Sequence, residues 1–173
     1  MTKNSSTNKQ LPFFVYGTLI PSQPNDHLIR EALVQQEAAV FRHGRLYAFP
    51  TFPMLIETNA EDGTVIDGRL LTIDHEQYDD VMQKLDELEQ YDPQDRAGSP
   101  YWREIRSVQT AANETVEAWI YLGQPAFVPP NAYLITSGSW LQHCTQSGQT
   151  DSMRRWWESY GVDLLFGKST QSD

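Results

Sequence analysis

The chain has 173 residues, of which 39% are hydrophobic and 12% aromatic, and a formal net charge of -10; this suits one globular domain and excludes a largely disordered chain. The acidic balance argues against a nucleic-acid partner, because phosphate binding needs clustered Lys and Arg. No stretch is long enough to span a membrane, and residues 1–10 lack the apolar core of a signal peptide, so the expectation is a soluble cytoplasmic protein without a membrane partner.

In chain order, the body opens with Phe13-Phe14-Val15-Tyr16, a buried-strand run stopped by Gly17. Pro21 to Pro24 reads as a turn, after which Asn25 or Asp26 is placed to cap a short helix carrying Leu28, Ile29, Ala32 and Leu33. Strands are predicted over 39–47, 54–57 and 65–73, with Pro50, Pro53 and Asp62-Gly63 as turn signals. The strongest helix follows: Asp74 is its expected cap, Tyr78, Val81, Met82, Leu85 and Leu88 fall at helical spacing, and Pro93 ends it. Two further strands are predicted over 101–109 and 116–122, a short one over 133–135, and a closing amphipathic helix over 152–165. Strands without regular β-α alternation indicate an α+β fold, a compact mixed β-barrel with flanking helices, over a single domain at 11–167 with loose tails at 1–10 and 168–173.

One side chain breaks the helix pattern. With Tyr78 at zero and 100° per residue, Glu89 falls at about 20°, inside the stripe formed by Met82 at about 40° and Leu85 at about 340°. Asp86 sits at the stripe's margin. A carboxylate facing a core is costly unless paired or protonated, and burial would raise its pKa toward the range useful to a general acid or base. At the end of a helix the same residue could instead swing into water or onto an arginine, so helix position alone leaves both readings open.

Three motifs occur in order: Tyr16-Gly17-Thr18-Leu19 ending the first strand, Leu85-Asp86-x-x-Glu89 closing the helix, and Tyr101-x-Arg103 opening a strand, with Asn25 after the first loop and Gly68 in the strand before the helix. The set resembles the γ-glutamyl cyclotransferase superfamily, which includes the AIG2-like proteins, over about residues 11–122 and loosely through Ser137-Gly138-Ser139-Trp140. The resemblance implies a pocket at the loop 16–19, whose backbone N–H groups hold a γ-glutamyl moiety. It also implies that Glu89 moves the proton as the substrate's α-amine attacks its own γ-carbonyl, releasing 5-oxoproline and a free amine without metal or cofactor. The physics of these residue types agrees: an α-ammonium needs a base, a leaving amine needs an acid, and the carbonyl oxygen needs fixed donors. Tyr16, Tyr101 and Tyr121 are candidates to line the pocket, each also readable as a core aromatic. Arg103 is a candidate to pair with a carboxylate near the site, or a solvated strand arginine.

The chain departs from the family pattern where glycine is common: Gln90 follows Glu89, Ser22 stands past the first loop, and Gly138-Ser139-Trp140 replaces Gly-Asp-Trp. Ser22 and Gln90 motivate an alternative, a non-catalytic module binding a small ligand or a protein on the same fold. Gly167-Lys168-Ser169 is no phosphate-binding loop, since Val162 occupies the required glycine position. His27, His43, His75 and His143 are scattered without ligand spacing, so no metal site is expected. The single cysteine, Cys144, excludes an intrachain disulfide.

Overall fold

The computed structural model describes residues 10–59 and 61–146. The expected helix over 152–165, the expected tail at 168–173 and all but residue 10 of the expected tail at 1–10 lie outside the described residues. Strand β1 (Phe13–Val15) is followed by β2 (Leu33–Ala48), β3 (Pro53–Glu57), β4 (Thr64–Ile73), helix α1 (Tyr78–Leu88), β5 (Tyr101–Thr110), β6 (Thr115–Gly123), β7 (Tyr133–Leu134) and helix α2 (Trp140–Gln146).

The strands run in the order β3-β2-β4-β1-β6-β5, and β2 pairs with β5 at Ala39–Thr110 and Val40–Gln109. This pairing closes β2, β4, β1, β6 and β5 into a five-stranded barrel, with β3 and β7 joined to the far end of β2. The barrel is mixed: β1 lies antiparallel to β4 but parallel to β6, as Phe13 opposite Trp119 shows. Closure depends on β2, whose 16 residues exceed any predicted strand. Its register against β4 slips between Leu33 and Gln35 and again between Phe41 and Gly44; such bulges bend a strand and let it serve several neighbours.

The apolar run at the start of the chain has a simple explanation. Phe14 and Tyr16 join the cluster inside the barrel with Phe41, Leu46, Leu55, Ile66 and Ile120, whereas Phe13 and Val15 join a second cluster with Leu71, Val81 and Leu85. Because strand side chains alternate between faces, β1 is buried on both and reads as a continuous apolar segment. Helix α1 covers the second cluster through Tyr78, Val81 and Leu85, with Leu85 only 1% exposed. Each such side chain contributes about 1.5–3 kcal/mol by leaving water. Gly68 is required where β4 passes β1: a Cβ there would stand 2.5 Å from the Val15 carbonyl oxygen and 2.6 Å from the Phe14 ring.

Two local expectations are revised, and one helix is added. The helix after Asn25 is instead two 3-10 turns, Asp26–Leu28 and Arg30–Ala32, and Leu33 already belongs to β2 opposite Ile73. Asp74 receives the N–H groups of Glu76 and Gln77 in the turn before α1, while the helix itself starts at Tyr78. Helix α2 follows Gly138-Ser139 and has Ser139 Oγ accepting the Gln142 N–H; its seven residues are too few for the apolar spacing to reveal it.

Candidate active site

Helix α1 stops before Pro93 because its last turn closes on itself. The Tyr91 N–H donates to Asp86 O at 2.9 Å and the Gln90 N–H to Glu87 O at 3.2 Å, with Gln90 at φ 53°. This is the left-handed helix stop usually made by glycine, which accounts for the position where Gln90 departs from the family pattern. Ser22, the other departure, also has positive φ, 78°, and its N–H donates to Asp26 Oδ2 at 2.8 Å. In both places the chain keeps a glycine-like backbone and carries a side chain. The stop also holds Glu89, whose own N–H donates to Leu85 O at 2.9 Å, so its side chain leaves α1 from a fixed backbone.

Glu89 borders a cavity of about 550 Å³. One wall is the loop after β1, supplying Tyr16, Gly17, Thr18 and Leu19, with Asn25 beyond it; Tyr101 and Tyr121 come from β5 and β6. Phe49, Phe52, Met54 and Phe127 add apolar surface. The loop is braced internally, with Asn25 Nδ2 donating to Thr18 Oγ1 at 2.9 Å and the Asn25 N–H to Thr18 O at 2.9 Å. The N–H groups of Thr18 and Leu19 have no acceptor among the described residues. Gly17 is needed for close packing, since a Cβ there would lie 2.6 Å from the Pro53 side chain.

Burial pushes the Glu89 carboxyl from 4.5 up to about 8, and among the described residues no cation or donor draws it back. The residue as a whole is only partly buried, in keeping with its place on the cavity wall. The hydroxyls of Tyr16, Tyr101 and Tyr121 are also pushed up, chiefly by desolvation, and each experiences the nearby Glu89 charge. The expected residues therefore converge: Glu89, the four loop residues, Asn25, Tyr101 and Tyr121 share one cavity.

Arg103 is the exception. It does not line the cavity; its Nε lies 2.9 Å from Asp86 Oδ1, and its guanidinium sits over the rings of Trp119 and Tyr91 at 4.7 and 5.5 Å. Residues alternate across β5, so Tyr101 and Arg103 share a face, but Arg103 is two positions further along and reaches α1 instead. Asp86, left at the margin of the helical stripe without a role, proves central: it also accepts the Tyr121 hydroxyl at 2.7 Å. Its place in Leu85-Asp86-x-x-Glu89 was the available signal. Nothing local pointed to Phe49, Phe52 or Phe127 as cavity residues. Among the described residues no group of three or more His, Cys, Asp or Glu could hold a metal, and no helix is long and apolar enough to cross a membrane.

Residues 13–142 match the family model described as gamma-glutamyl cyclotransferase, AIG2-like. The chain is 30% identical over 119 residues, 63% of its length and 67% of the other's, to the Drosophila melanogaster protein CG2811, whose naming as a gamma-glutamylcyclotransferase is itself provisional. Among solved structures, YkqA from Bacillus subtilis superposes with a TM-score of 0.59 at 24% identity, covering 91% of this chain and 53% of YkqA, so the chain spans about half of that protein. An AIG2-like protein from Mus musculus superposes with a TM-score of 0.52 at 22% identity, covering 69% of this chain and 80% of the mouse protein. These two structures share the fold, and the family model covers most of the chain: it belongs to the gamma-glutamyl cyclotransferase, AIG2-like family.

Proposed function

We propose that the chain cyclises a γ-glutamyl compound, releasing 5-oxoproline and a free amine, with Glu89 as the single acid and base. The observation that carries this reading is a carboxyl raised to about 8 on the wall of a cavity that the loop 16–19 also lines, where the Thr18 and Leu19 N–H groups have no acceptor among the described residues. A side chain titrating near 8 is matched to an α-ammonium, whose ordinary value is about 8, so a proton passes between them with little free-energy difference.

In this reading Glu89 takes one proton from the substrate's α-ammonium and releases it to water, and the resulting amine nitrogen attacks the γ-carbonyl carbon. The new C–N bond closes a five-membered ring, and the carbonyl oxygen gains negative charge that the loop N–H groups stabilise. The ring nitrogen sheds its second proton to Glu89. The protonated carboxyl then delivers that proton to the leaving nitrogen as the old C–N bond breaks, so the product departs as a neutral amine. It takes up a further proton from water. The nucleophile belongs to the substrate, so the mechanism requires no protein nucleophile.

The competing reading, a binding module without turnover, drew its motive from Ser22 and Gln90. Both positions retain a glycine-like backbone, which leaves that motive without support. The test is incubation with a panel of γ-glutamyl amides and peptides, scored by 5-oxoproline release, with Glu89→Gln as the control. Release that disappears in the variant is expected. Saturable binding without product from any of them would establish the module instead.

A further inference from the structure

We propose that Tyr101, Tyr121 and Glu89 form an acceptor-only seat for a primary ammonium group, and that Asp86 is the positioning residue that orients Tyr121 for this task. The inference rests on the cyclisation reading for what the ammonium belongs to, but its evidence is the direction of individual hydrogen bonds. A tyrosine hydroxyl carries one hydrogen and accepts with its remaining lone pairs. Tyr101 spends that hydrogen on the Pro53 carbonyl at 3.1 Å, and Tyr121 spends it on Asp86 Oδ1 at 2.7 Å. Asp86, facing Arg103 Nε at 2.9 Å through the same oxygen, acts as the acceptor toward Tyr121. Toward the cavity, both hydroxyls therefore have only lone pairs to offer.

Tyr16 completes the picture by contrast. Its hydroxyl donates to the Tyr121 carbonyl at 2.6 Å, and the nearby Leu55 backbone N–H stabilises its oxygen, so the protein itself engages it. An ionised Glu89 adds a third acceptor. The loop lining the same cavity carries the Thr18 and Leu19 N–H groups, which have no acceptor among the described residues. A ligand matched to this division carries a multiple N–H donor at one end and an oxygen acceptor at the other. A primary ammonium has three N–H groups for three acceptors. A carboxylate in its place would leave lone pairs facing lone pairs, and a hydroxyl could satisfy only one of the three acceptors.

Asp86 acts only through Tyr121. Without it, the Tyr121 hydrogen is free to turn into the cavity and face the ammonium as a donor. The test compares two unreactive ligands at pH 9, where Glu89 is ionised: L-norleucine, which has the α-ammonium, and hexanoate, which lacks it. Binding of each is followed by NMR titration in the wild type, Tyr121→Phe, Asp86→Ala and the double variant. The wild type should prefer norleucine, and Tyr121→Phe and Asp86→Ala should each reduce that preference about tenfold, as expected for loss of a hydrogen bond to a charged group. The double variant should lose no more than either single one, because both act through one hydroxyl.

A fall in affinity for both ligands alike, or an unchanged preference, overturns the proposal. If Asp86→Ala does not fold, Tyr121→Phe and Tyr101→Phe decide the outcome by the same ratio. The underlying reading fails separately. A norleucine preference that collapses as expected, with no 5-oxoproline from any γ-glutamyl amide, supports the seat and removes the cyclisation. Turnover with a preference unmoved by the variants does the reverse.

Discussion

Replacing Glu89 with Gln should make the protein more stable, and by an amount that grows with pH. The carboxyl titrates at 4.5 ordinarily and at about 8 in the folded protein. Below 4.5 it is protonated in both states and contributes no pH dependence. Between 4.5 and 8 the unfolded chain releases a proton that the native state retains, so native stability declines as pH rises, and the decline ends once both states are ionised above 8. A rise of this size corresponds to about 5 kcal/mol at high pH and about 3 kcal/mol at pH 7, using 1.36 kcal/mol per pH unit. Gln keeps the shape and cannot ionise. Urea unfolding of both proteins from pH 4 to 9 should give curves that agree near pH 4 and separate by about 2 kcal/mol or more at pH 9. Two parallel curves would show that the carboxyl is fully hydrated, and the acid–base role built on its burial would fall with it.

Three further outcomes are expected. The rate of 5-oxoproline release, as kcat/KM, should climb with pH through a midpoint near 8, because the base form of Glu89 starts the reaction; a profile with its midpoint near the ordinary carboxylate value would contradict this. Gln90→Gly and Ser22→Gly should each raise the unfolding free energy by about 1 kcal/mol, since both positions hold positive φ that side chains resist, and a loss of stability in either would refute the strain. Gly68→Ala should destabilise the protein by about 1–3 kcal/mol through overpacking of β1, read from the urea midpoint, whereas an unchanged midpoint would mean the strands part freely there.

What the sequence alone determined is local. The buried run of β1, the helical spacing of Tyr78, Val81 and Leu85, and the place of Glu89 on the apolar stripe follow from local pattern and fixed backbone periods, so they could be read without any long-range information; that Glu89 stays turned inward could not. The resemblance added the loop 16–19 and the aromatic positions, and these do line one cavity. Asn25 illustrates the limit: it was read as a helix cap or a loop residue, and only the folded loop shows it bracing Thr18.

The tertiary structure decided what meets what. Barrel closure depends on a β2 of 16 residues that slips register twice, and no local period specifies where a strand bulges or which edge it finds. Tyr16 and Tyr121 are 105 positions apart yet joined by one hydrogen bond, and Asp86 meets Tyr121 across 35. Arg103 turned toward Asp86 rather than the cavity for the same reason: its strand face was legible, but the neighbour on that face was set by how α1 packs on the closed barrel. A backbone period tells which way a side chain points. The partner it finds depends on strand register and helix docking, which are resolved only when the whole chain folds.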